Sequence, residues 1–166
     1  PDAFHGFILS GTALEPSGIK IPNLLLLAKV FSRLFPRFSI PLRRAPYPLL
    51  AQDPAVEAAF HADPLTLRSI TARFATECLA LIDSLQPRME SLCCPLLLLH
   101  GGADPVNALA GAQRLFEKAR SADKQLIVYE HNLHEPFHDT AQSQAIEDVC
   151  SWVQARIPAQ GIDAGR

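Results

Sequence analysis

Three short apolar runs constrain the fold of this 166-residue chain more than any other feature. They occupy residues 7–9, 96–99 and 126–129, and their length and lack of polar positions are typical of strands buried on both faces. Helical periodicity follows the second and third runs, over residues 107–119 and 140–157. Strand, helix, strand and helix in this order predict a parallel sheet with crossover helices, and therefore the α/β fold class.

The interval between the first and second apolar runs predicts an insertion. It covers about 85 residues, far more than a single crossover helix requires. We therefore divide the chain into a core strand with its exit loop (residues 1–15), a helical cap with a return helix (16–88) and a carboxyl-terminal α/β core (89–166). So long an insertion has to leave the sheet from a strand end, which predicts a mostly helical cap on the carboxyl-end side of the sheet.

Capping signals divide the insertion into helices. Residues 22–35 predict a largely apolar helix with Asn23 as its amino-terminal cap. Asp53 and Asp63 each precede a proline, a pair typical of the start of a helix. The second pair is followed by a long amphipathic pattern that Pro87 ends and that we expect to pack back onto the sheet. Its apolar positions are Leu67, Ile70, Phe74, Cys78, Leu81 and Leu85.

The first part of the cap is basic as well as apolar. Residues 16–52 contain no acidic residue and six basic ones: Lys20, Lys29, Arg33, Arg37, Arg43 and Arg44. One interpretation is a lid whose apolar surface meets lipid while its cations face anionic headgroups. The other is a cap helix buried on the core with cations that reach solvent along its surface. Either way an apolar cap over the site indicates a substrate with an acyl chain. The candidate substrate-facing lid residues are Leu26, Val30, Phe31 and Leu34.

Composition narrows the partners and the compartment. A formal net charge of −2 gives no reason to expect nucleic acid as a partner. The four cysteines form no C-x-x-C pair, which favours a reducing compartment, and no apolar stretch reaches the roughly 18 residues of a membrane span. We therefore expect a cytoplasmic or peripheral membrane location.

Two loops that follow predicted strands carry the candidate chemistry. Asp104 follows the run at residues 96–99, and His134 follows the run at 126–129. Carboxyl ends of neighbouring parallel strands lie at one edge of a sheet, and a histidine base needs a carboxylate on its second ring nitrogen. We therefore predict that Asp104 and His134 form an acid–base pair. The alternatives are a helix-capping role for Asp104 and a backbone-bonded loop position for His134.

No nucleophile accompanies this pair. A Gly-x-Ser-x-Gly turn, which exposes the serine of many α/β enzymes, does not occur in the sequence. Ser10 is the nearest candidate, and a hydroxyl bonded to local backbone is the preferred interpretation of it. Because the chain begins at Pro1 and runs directly into a strand, we expect the nucleophile, the oxyanion hole and the amino-terminal half of the fold to lie outside it.

Other histidines allow a competing interpretation. Residues 134–138 read His-Glu-Pro-Phe-His, which matches the H-E-x-x-H signature of zinc proteases. That chemistry needs both histidines on one continuous helix, whereas Pro136 favours a helix that only begins here. His131 and His138 are then surface residues, and His100 is expected to satisfy buried backbone. We expect neither a metal ion nor a cofactor.

Several motifs together resemble the carboxyl-terminal half of the α/β-hydrolase family that includes monoacylglycerol lipases, lysophospholipases and serine aminopeptidase-like hydrolases. They are GFILSG at residues 6–11, DPL at 63–65, PLLLLHGGAD at 95–104, DK at 123–124 before LIVY, and HE at 134–135. The resemblance implies the α/β-hydrolase fold, with Asp104 and His134 completing a serine triad.

The resemblance also implies an activity, which is cleavage of carboxylic esters of fatty acids, with a monoacylglycerol or lysophospholipid as first choice. Its partners would be a lipid-like ester and, through the basic cap, a membrane surface. The alternative is a non-catalytic fragment or a binding module that uses the cap as an apolar surface.

Overall fold

The computed structural model describes residues 4–17, 22–42 and 48–157, and the side chains of the first helix from Leu26 onward. Within these ranges the chain alternates strands and helices as the apolar pattern predicts. In chain order the elements are β1 (Phe7–Ser10), α1 (Pro22–Leu34), β2 (Ser39–Pro41), α2 (Pro54–Ala62), β3 (Ser69–Thr71), α3 (Ala72–Leu85), a 3₁₀ helix (Gln86–Ser91), β4 (Leu96–Gly101), α4 (Leu109–Lys118), β5 (Lys124–Tyr129) and α5 (Gln142–Gln154).

The three predicted apolar runs form one parallel sheet with β4 at its centre. β4 pairs with β1 on one side and with β5 on the other, so that Leu98 lies opposite Leu9 and Leu126. Each residue of β4 is buried, as expected for a strand covered on both faces. The predicted α/β class is confirmed, and the parallel pairing places the loops after β4 and β5 at the same edge.

Successive residues of β4 face opposite layers of the core. Leu96 and Leu98 pack with Leu115 of α4 on one face of the sheet. Leu97 and Leu99 pack with Trp152 of α5 on the other. All four strand leucines are at most 1% exposed, and full burial of one such side chain contributes about 1.5–3 kcal/mol relative to solvent exposure. Because β4 is packed on both faces, the position of the loop that follows it is fixed.

The segment between β1 and β4 is mostly helical, as expected, but it also contains a two-stranded antiparallel sheet that the sequence did not predict. Ser39 of β2 pairs with Thr71 of β3, and Ile40 pairs with Ile70. Each strand has three residues, too few to show a period-two pattern. No helix in the described residues has the length and apolar character needed to cross a membrane. The proposed division of the chain into three parts stays a prediction.

One of the two predicted helix starts is confirmed, and the other is wrong. Asp53 caps α2, because its carboxylate accepts a hydrogen bond of 2.8 Å from the Ala55 amide. Asp63 instead closes a turn by accepting from the Leu65 amide at 2.8 Å. The long helix begins only at Ala72, with Thr71 as its cap. A turn follows Asp63, and the pairing of β3 with β2 holds residues 69–71 extended, so Leu67 and Ile70 precede the helix.

The packing of α3 also differs from the prediction. We expected this helix to return to the main sheet, but its principal contacts are with α1, β3 and the 3₁₀ helix. Thr76 donates a hydrogen bond of 2.9 Å to the hydroxyl of Ser32 in α1, and both residues are buried. Small side chains at this contact let the two helices approach, while Phe74 and Leu81 remain 56% and 59% exposed.

Several predicted details of the cap fall at the edge of the described structure. Asn23 lies inside α1 rather than before it, because the helix begins at Pro22. Lys20, Arg43 and Arg44 lie outside the described residues. The α-helix ends at Leu85, just before Pro87 as expected, and the chain continues as the 3₁₀ helix, since proline is tolerated in a first turn.

Candidate active site

The loops after β4 and β5 touch each other through their backbones. The Gly102 amide donates to the Tyr129 carbonyl at 2.8 Å, and the Ala103 amide donates to the Asn132 carbonyl at 3.1 Å. A Cβ atom on Gly101 would lie 1.8 Å from the Leu133 carbonyl oxygen, so only glycine permits this approach. The two loops therefore form one unit at the carboxyl edge of the sheet.

This unit brings Asp104 and His134 together. Nδ1 of His134 lies 2.9 Å from Oδ2 of Asp104, while Oδ1 accepts hydrogen bonds from the Val106 and Asn107 amides at 2.7 and 3.0 Å. The Asp104 side chain is 1% exposed and that of His134 is 24% exposed. With Nδ1–H donated to the carboxylate, Nε2 is the free ring nitrogen, and it has no hydrogen-bond partner within the described part of the chain. That is the arrangement of an oriented general base.

The two groups shift each other's pKa in the directions that such a pair requires. The hydrogen bond to Asp104 is the main cause that raises the pKa of His134, and the charges of Asp104 and Glu135 act in the same direction against burial. Burial is the largest influence on Asp104 and opposes its ionisation. The hydrogen bonds from His134, Asn107 and Val106 together outweigh burial and hold the pKa of that carboxyl below its ordinary value. The carboxylate therefore stays charged beside the imidazole.

A second histidine lies beside the acid. His100 is fully buried in β4, and its Nε2 atom lies 3.1 Å from the Asn107 carbonyl and 3.5 Å from Oδ2 of Asp104. Its other ring nitrogen is buried without a hydrogen-bond partner among the described residues. The sequence interpretation of His100 as a partner for buried backbone is confirmed, but it missed the proximity to Asp104. The four-residue spacing across a strand exit was the only available signal.

Asn107 and Gly11 join the strand β1 to the same site, and sequence reasoning missed both. The buried Asn107 side chain donates a hydrogen bond of 3.1 Å to the Gly11 carbonyl. Gly11 adopts a left-handed conformation with a φ of 55° directly beneath His134. Through Asn107, the exit of β1 is tied to the loop that presents Asp104. No local motif marks these residues.

The zinc interpretation of residues 134–138 is wrong. These residues form a turn, and the next helix, α5, begins only at Gln142, so the two histidines do not share a helix face. Nδ1 of His134 is bonded to Asp104, and Nδ1 of His138 lies 2.8 Å from Glu135. The described residues contain no group of three or more His, Cys, Asp and Glu side chains placed to hold a metal ion.

The remaining candidates lie apart from the pair. Ser10 ends β1 with an exposed side chain, and no hydrogen bond joins its hydroxyl to His134 in the described structure. The four candidate lid residues of α1 are exposed, with values of 67% for Leu26, 53% for Val30, 39% for Phe31 and 69% for Leu34. Their role toward a substrate stays a prediction.

Comparison with known proteins shows which family the chain belongs to. The profile of the serine aminopeptidase family S33 matches residues 1–141. The chain belongs to this family. Its fold, with a parallel sheet, crossover helices and a helical segment between β1 and β4, is that of the α/β-hydrolases.

Relatives of this S33 chain include lipases from distant organisms. A monoacylglycerol lipase from Mycolicibacterium smegmatis is 32% identical over 95% of this chain and 56% of the relative. A monoglyceride lipase from Mus musculus is 30% identical over 97% of this chain and 54% of its own length. The chain thus spans about half the length of these curated relatives.

Solved structures agree with the family. The monoacylglycerol lipase of Paleococcus ferrophilus superposes with a TM-score of 0.85 at 26% identity, over 95% of this chain and 61% of the other. A soluble variant of the monoglyceride lipase from Saccharomyces cerevisiae, solved with a substrate analogue, gives a TM-score of 0.76 at 19% identity, over 92% and 56% of the two chains. The second likeness concerns the fold alone.

Proposed function

We propose that the protein containing this chain is a serine ester hydrolase in which His134 is the general base and Asp104 orients it. The observation that carries the proposal is the 2.9 Å contact between Nδ1 of His134 and Oδ2 of Asp104, which leaves Nε2 free at the carboxyl edge of the sheet. Membership of the S33 family and the lipase relatives support the same chemistry.

In the proposed mechanism, a serine hydroxyl outside this chain attacks the ester carbonyl while its proton passes to Nε2 of His134. The resulting imidazolium stays bonded through Nδ1–H to the Asp104 carboxylate, which stabilises the positive charge. When the tetrahedral intermediate collapses, the leaving alcohol takes the proton from Nε2, and an acyl-enzyme remains. Water then repeats the sequence and releases the fatty acid. General base catalysis of this kind contributes about 10²–10⁴-fold to the rate.

The substrate is proposed to be a monoacylglycerol or a lysophospholipid. Two observations support an acyl ester: the lipase names of the relatives, and the density of exposed apolar side chains on α1 and the turn after it. Leu27 and Phe35 are 67% and 55% exposed there in addition to the four lid candidates. Exposed apolar patches of this kind are typical of surfaces that bind a lipid or another apolar partner.

A peripheral membrane contact would bring the cap to its substrate. Lys29, Arg33 and Arg37 are all exposed on or next to the same apolar helix, which suits an anionic lipid surface. Flotation with neutral and anionic vesicles tests this contact, using Lys29→Glu combined with Arg33→Glu. Stronger binding of the unmodified protein to anionic vesicles, lost in the double variant, is expected. Equal binding in all four cases would argue against a membrane-facing basic ridge.

The proposed function is tested in the whole protein by hydrolysis of a monoacylglycerol, with His134→Ala and His138→Ala as a matched pair. His134→Ala should lower kcat by several orders of magnitude, because the remaining groups cannot activate the nucleophile. His138→Ala should retain activity, since within the described residues the polar contact of its ring is with Glu135, away from Asp104. Binding of monoacylglycerol without any His134-dependent turnover would instead support a non-catalytic binding module.

A further inference from the structure

The loop that presents His134 has an unusual neighbour, a cap segment of residues 49–52 outside helices and strands that we name the strap. The His134 amide donates to the Leu49 carbonyl at 3.3 Å, and the Glu135 amide donates to the Leu50 carbonyl at 2.9 Å. The side chain of Gln52 adds a third bond, of 2.9 Å, to the His131 carbonyl. The strap therefore contacts the loop of residues 130–135, which we name the histidine loop, on both sides of His134.

The strap is itself fixed by two carboxylates. Oε1 of Glu57, in the first turn of α2, accepts the Leu49 and Leu50 amides at 2.6 Å each. At the other end of the strap, Oδ1 of Asp139 accepts the Gln52 amide at 2.9 Å. Ala51, between these anchors, is completely buried. The strap amides of Leu49, Leu50 and Gln52 thus donate to the carboxylates, and the Leu49 and Leu50 carbonyls accept from the histidine loop.

Asp139 also holds the histidine loop directly. Its Oδ2 atom accepts the Leu133 amide at 2.7 Å, and Oδ1 also accepts the Thr140 amide at 2.7 Å. The residue is 5% exposed and its bond to the Leu133 amide is buried, so loss of the carboxylate would leave that amide without a partner. One buried carboxylate therefore fastens the residue before His134, the strap and the approach to α5 together.

This arrangement matters because the histidine loop lies outside regular secondary structure. Its backbone position is set by hydrogen bonds to other segments, and the ring of His134 can stay on Asp104 only while that backbone is fixed. We propose that Asp139, and Glu57 acting through the strap, are positioning residues that keep the His134 ring aligned with Asp104. The inference rests on the proposed function of His134 as a base. Displacement of a reacting group by about 1 Å can lower a rate by about 10²-fold.

Glu57→Gln and Asp139→Asn each remove one negative charge, so a comparison of the two separates the effect of positioning from the effect of charge. Glu57 uses a single oxygen for both amides, so Glu57→Gln can keep that oxygen in place, whereas Glu57→Ala removes it. Asp139 uses both oxygens, so Asp139→Asn must turn an amide N–H₂ toward at least one backbone N–H. Asp148→Asn is the matched control, because this carboxylate of α5 contacts Tyr129 and Gln144 away from the strap.

The first measurement is the pH titration of the His134 ring by NMR in the whole protein, with the signal assigned by its loss in His134→Ala. Among the described residues, the charges that act on the pKa of His134 are those of Asp104 and Glu135, and all the test variants leave both unchanged. Asp139→Asn and Glu57→Ala should move the pKa of His134 down, toward that of an imidazole without a carboxylate partner. Glu57→Gln and Asp148→Asn should leave it where it is.

The second measurement is the kinetics of ester hydrolysis by the whole protein. Asp139→Asn should lower kcat about tenfold or more with little change in KM, and Glu57→Gln should stay within about twofold. If Asp139→Asn does not fold, Glu57→Ala tests the same claim from a partly exposed helix. Loss of stability in both variants without any shift of the His134 titration would overturn the proposal. An unmodified protein that shows the raised titration but no turnover would contradict the proposed function instead.

Discussion

Gly11 lies so close to His134 that a Cβ atom added to it would stand 2.8 Å from the His134 carbonyl oxygen and 3.1 Å from its Cε1 atom. The glycine has a φ of 55°, a conformation that residues with side chains rarely adopt. The exit of β1 is therefore shaped around the proposed base, although no hydrogen bond between Gly11 and His134 is present in the described structure.

Gly11→Ala should reduce both stability and activity. The left-handed backbone costs about 1–2 kcal/mol with a side chain present, and the contact adds to this by pushing His134 away from Asp104. We expect a lower free energy of unfolding in urea and a fall in kcat/KM of about tenfold or more. Ser10→Ala, one position earlier and exposed, is the control and should change neither quantity. Unchanged kinetics for Gly11→Ala would mean that the ring is placed independently of this turn.

The pH dependence of the reaction should report the paired histidine. A general base works in its neutral form, and the bond to Asp104 raises the pKa of His134. We therefore expect kcat/KM to rise with pH through a value above the roughly 6.5 of an ordinary imidazole. Asp104→Asn should move this limb to lower pH and lower kcat by about 10⁴-fold, the size of effect that loss of the triad carboxylate has elsewhere. If the rise of kcat/KM with pH stays in place in Asp104→Asn, a group other than His134 is responsible for it.

The same shifts affect stability in opposite pH ranges. Because the folded state raises the pKa of His134, its protonated form stabilises the fold at low pH, and this contribution is lost as pH rises through the raised value. The pKa of Asp104 is lowered, so its contribution is present above the ordinary carboxyl range and is lost as pH falls through the folded value. Urea unfolding of the whole protein and of its His134→Ala variant, at pH values on either side of the imidazole range, would show the first effect directly. A difference between them that does not change with pH would contradict it.

Asn107 should be important for stability because its amide is buried. Asn107→Ala removes the donor to the Gly11 carbonyl and should cost about 1–3 kcal/mol in the free energy of unfolding, since that oxygen is left without a partner. Gln142→Ala removes the same kind of amide-to-carbonyl bond, to Phe137, at an exposed position. The control Gln142→Ala should therefore lower the free energy of unfolding much less than Asn107→Ala. Equal losses would show that burial of the Asn107 contact is unimportant.

The sequence predicted the parts of the site that depend on local pattern. Short apolar runs identified the strands, and parallel strands place their exits at one edge, so the pairing of Asp104 with His134 followed without any knowledge of the remaining contacts. Asp53 was correct for the same reason, because a cap and its helix are neighbours in sequence.

Contacts between distant segments were not predictable in this way. The bond between Gln52 and Asp139 spans 87 positions, and no period or motif links the two residues. The β2–β3 pairing also depends on distant contacts, and it is why the helix expected after Asp63 begins only at Ala72. Where a local signal competed with such a contact, the tertiary contact decided the structure.

The last prediction concerns the 166-residue chain assayed by itself. Among the described strands, β1 pairs with β4 only, which leaves its other edge without a strand partner, and Phe4 and Ile8 nearby are 63% and 36% exposed. No hydroxyl group is hydrogen-bonded to Nε2 of His134 within the described residues. We therefore expect the purified chain to be poorly stable and to hydrolyse a short-chain nitrophenyl ester no faster than His134→Ala, because the imidazole has no nucleophile to activate. Turnover well above the buffer rate that disappears in His134→Ala would contradict this expectation. Ser10→Ala would then show whether the exposed hydroxyl at the end of β1 is the nucleophile.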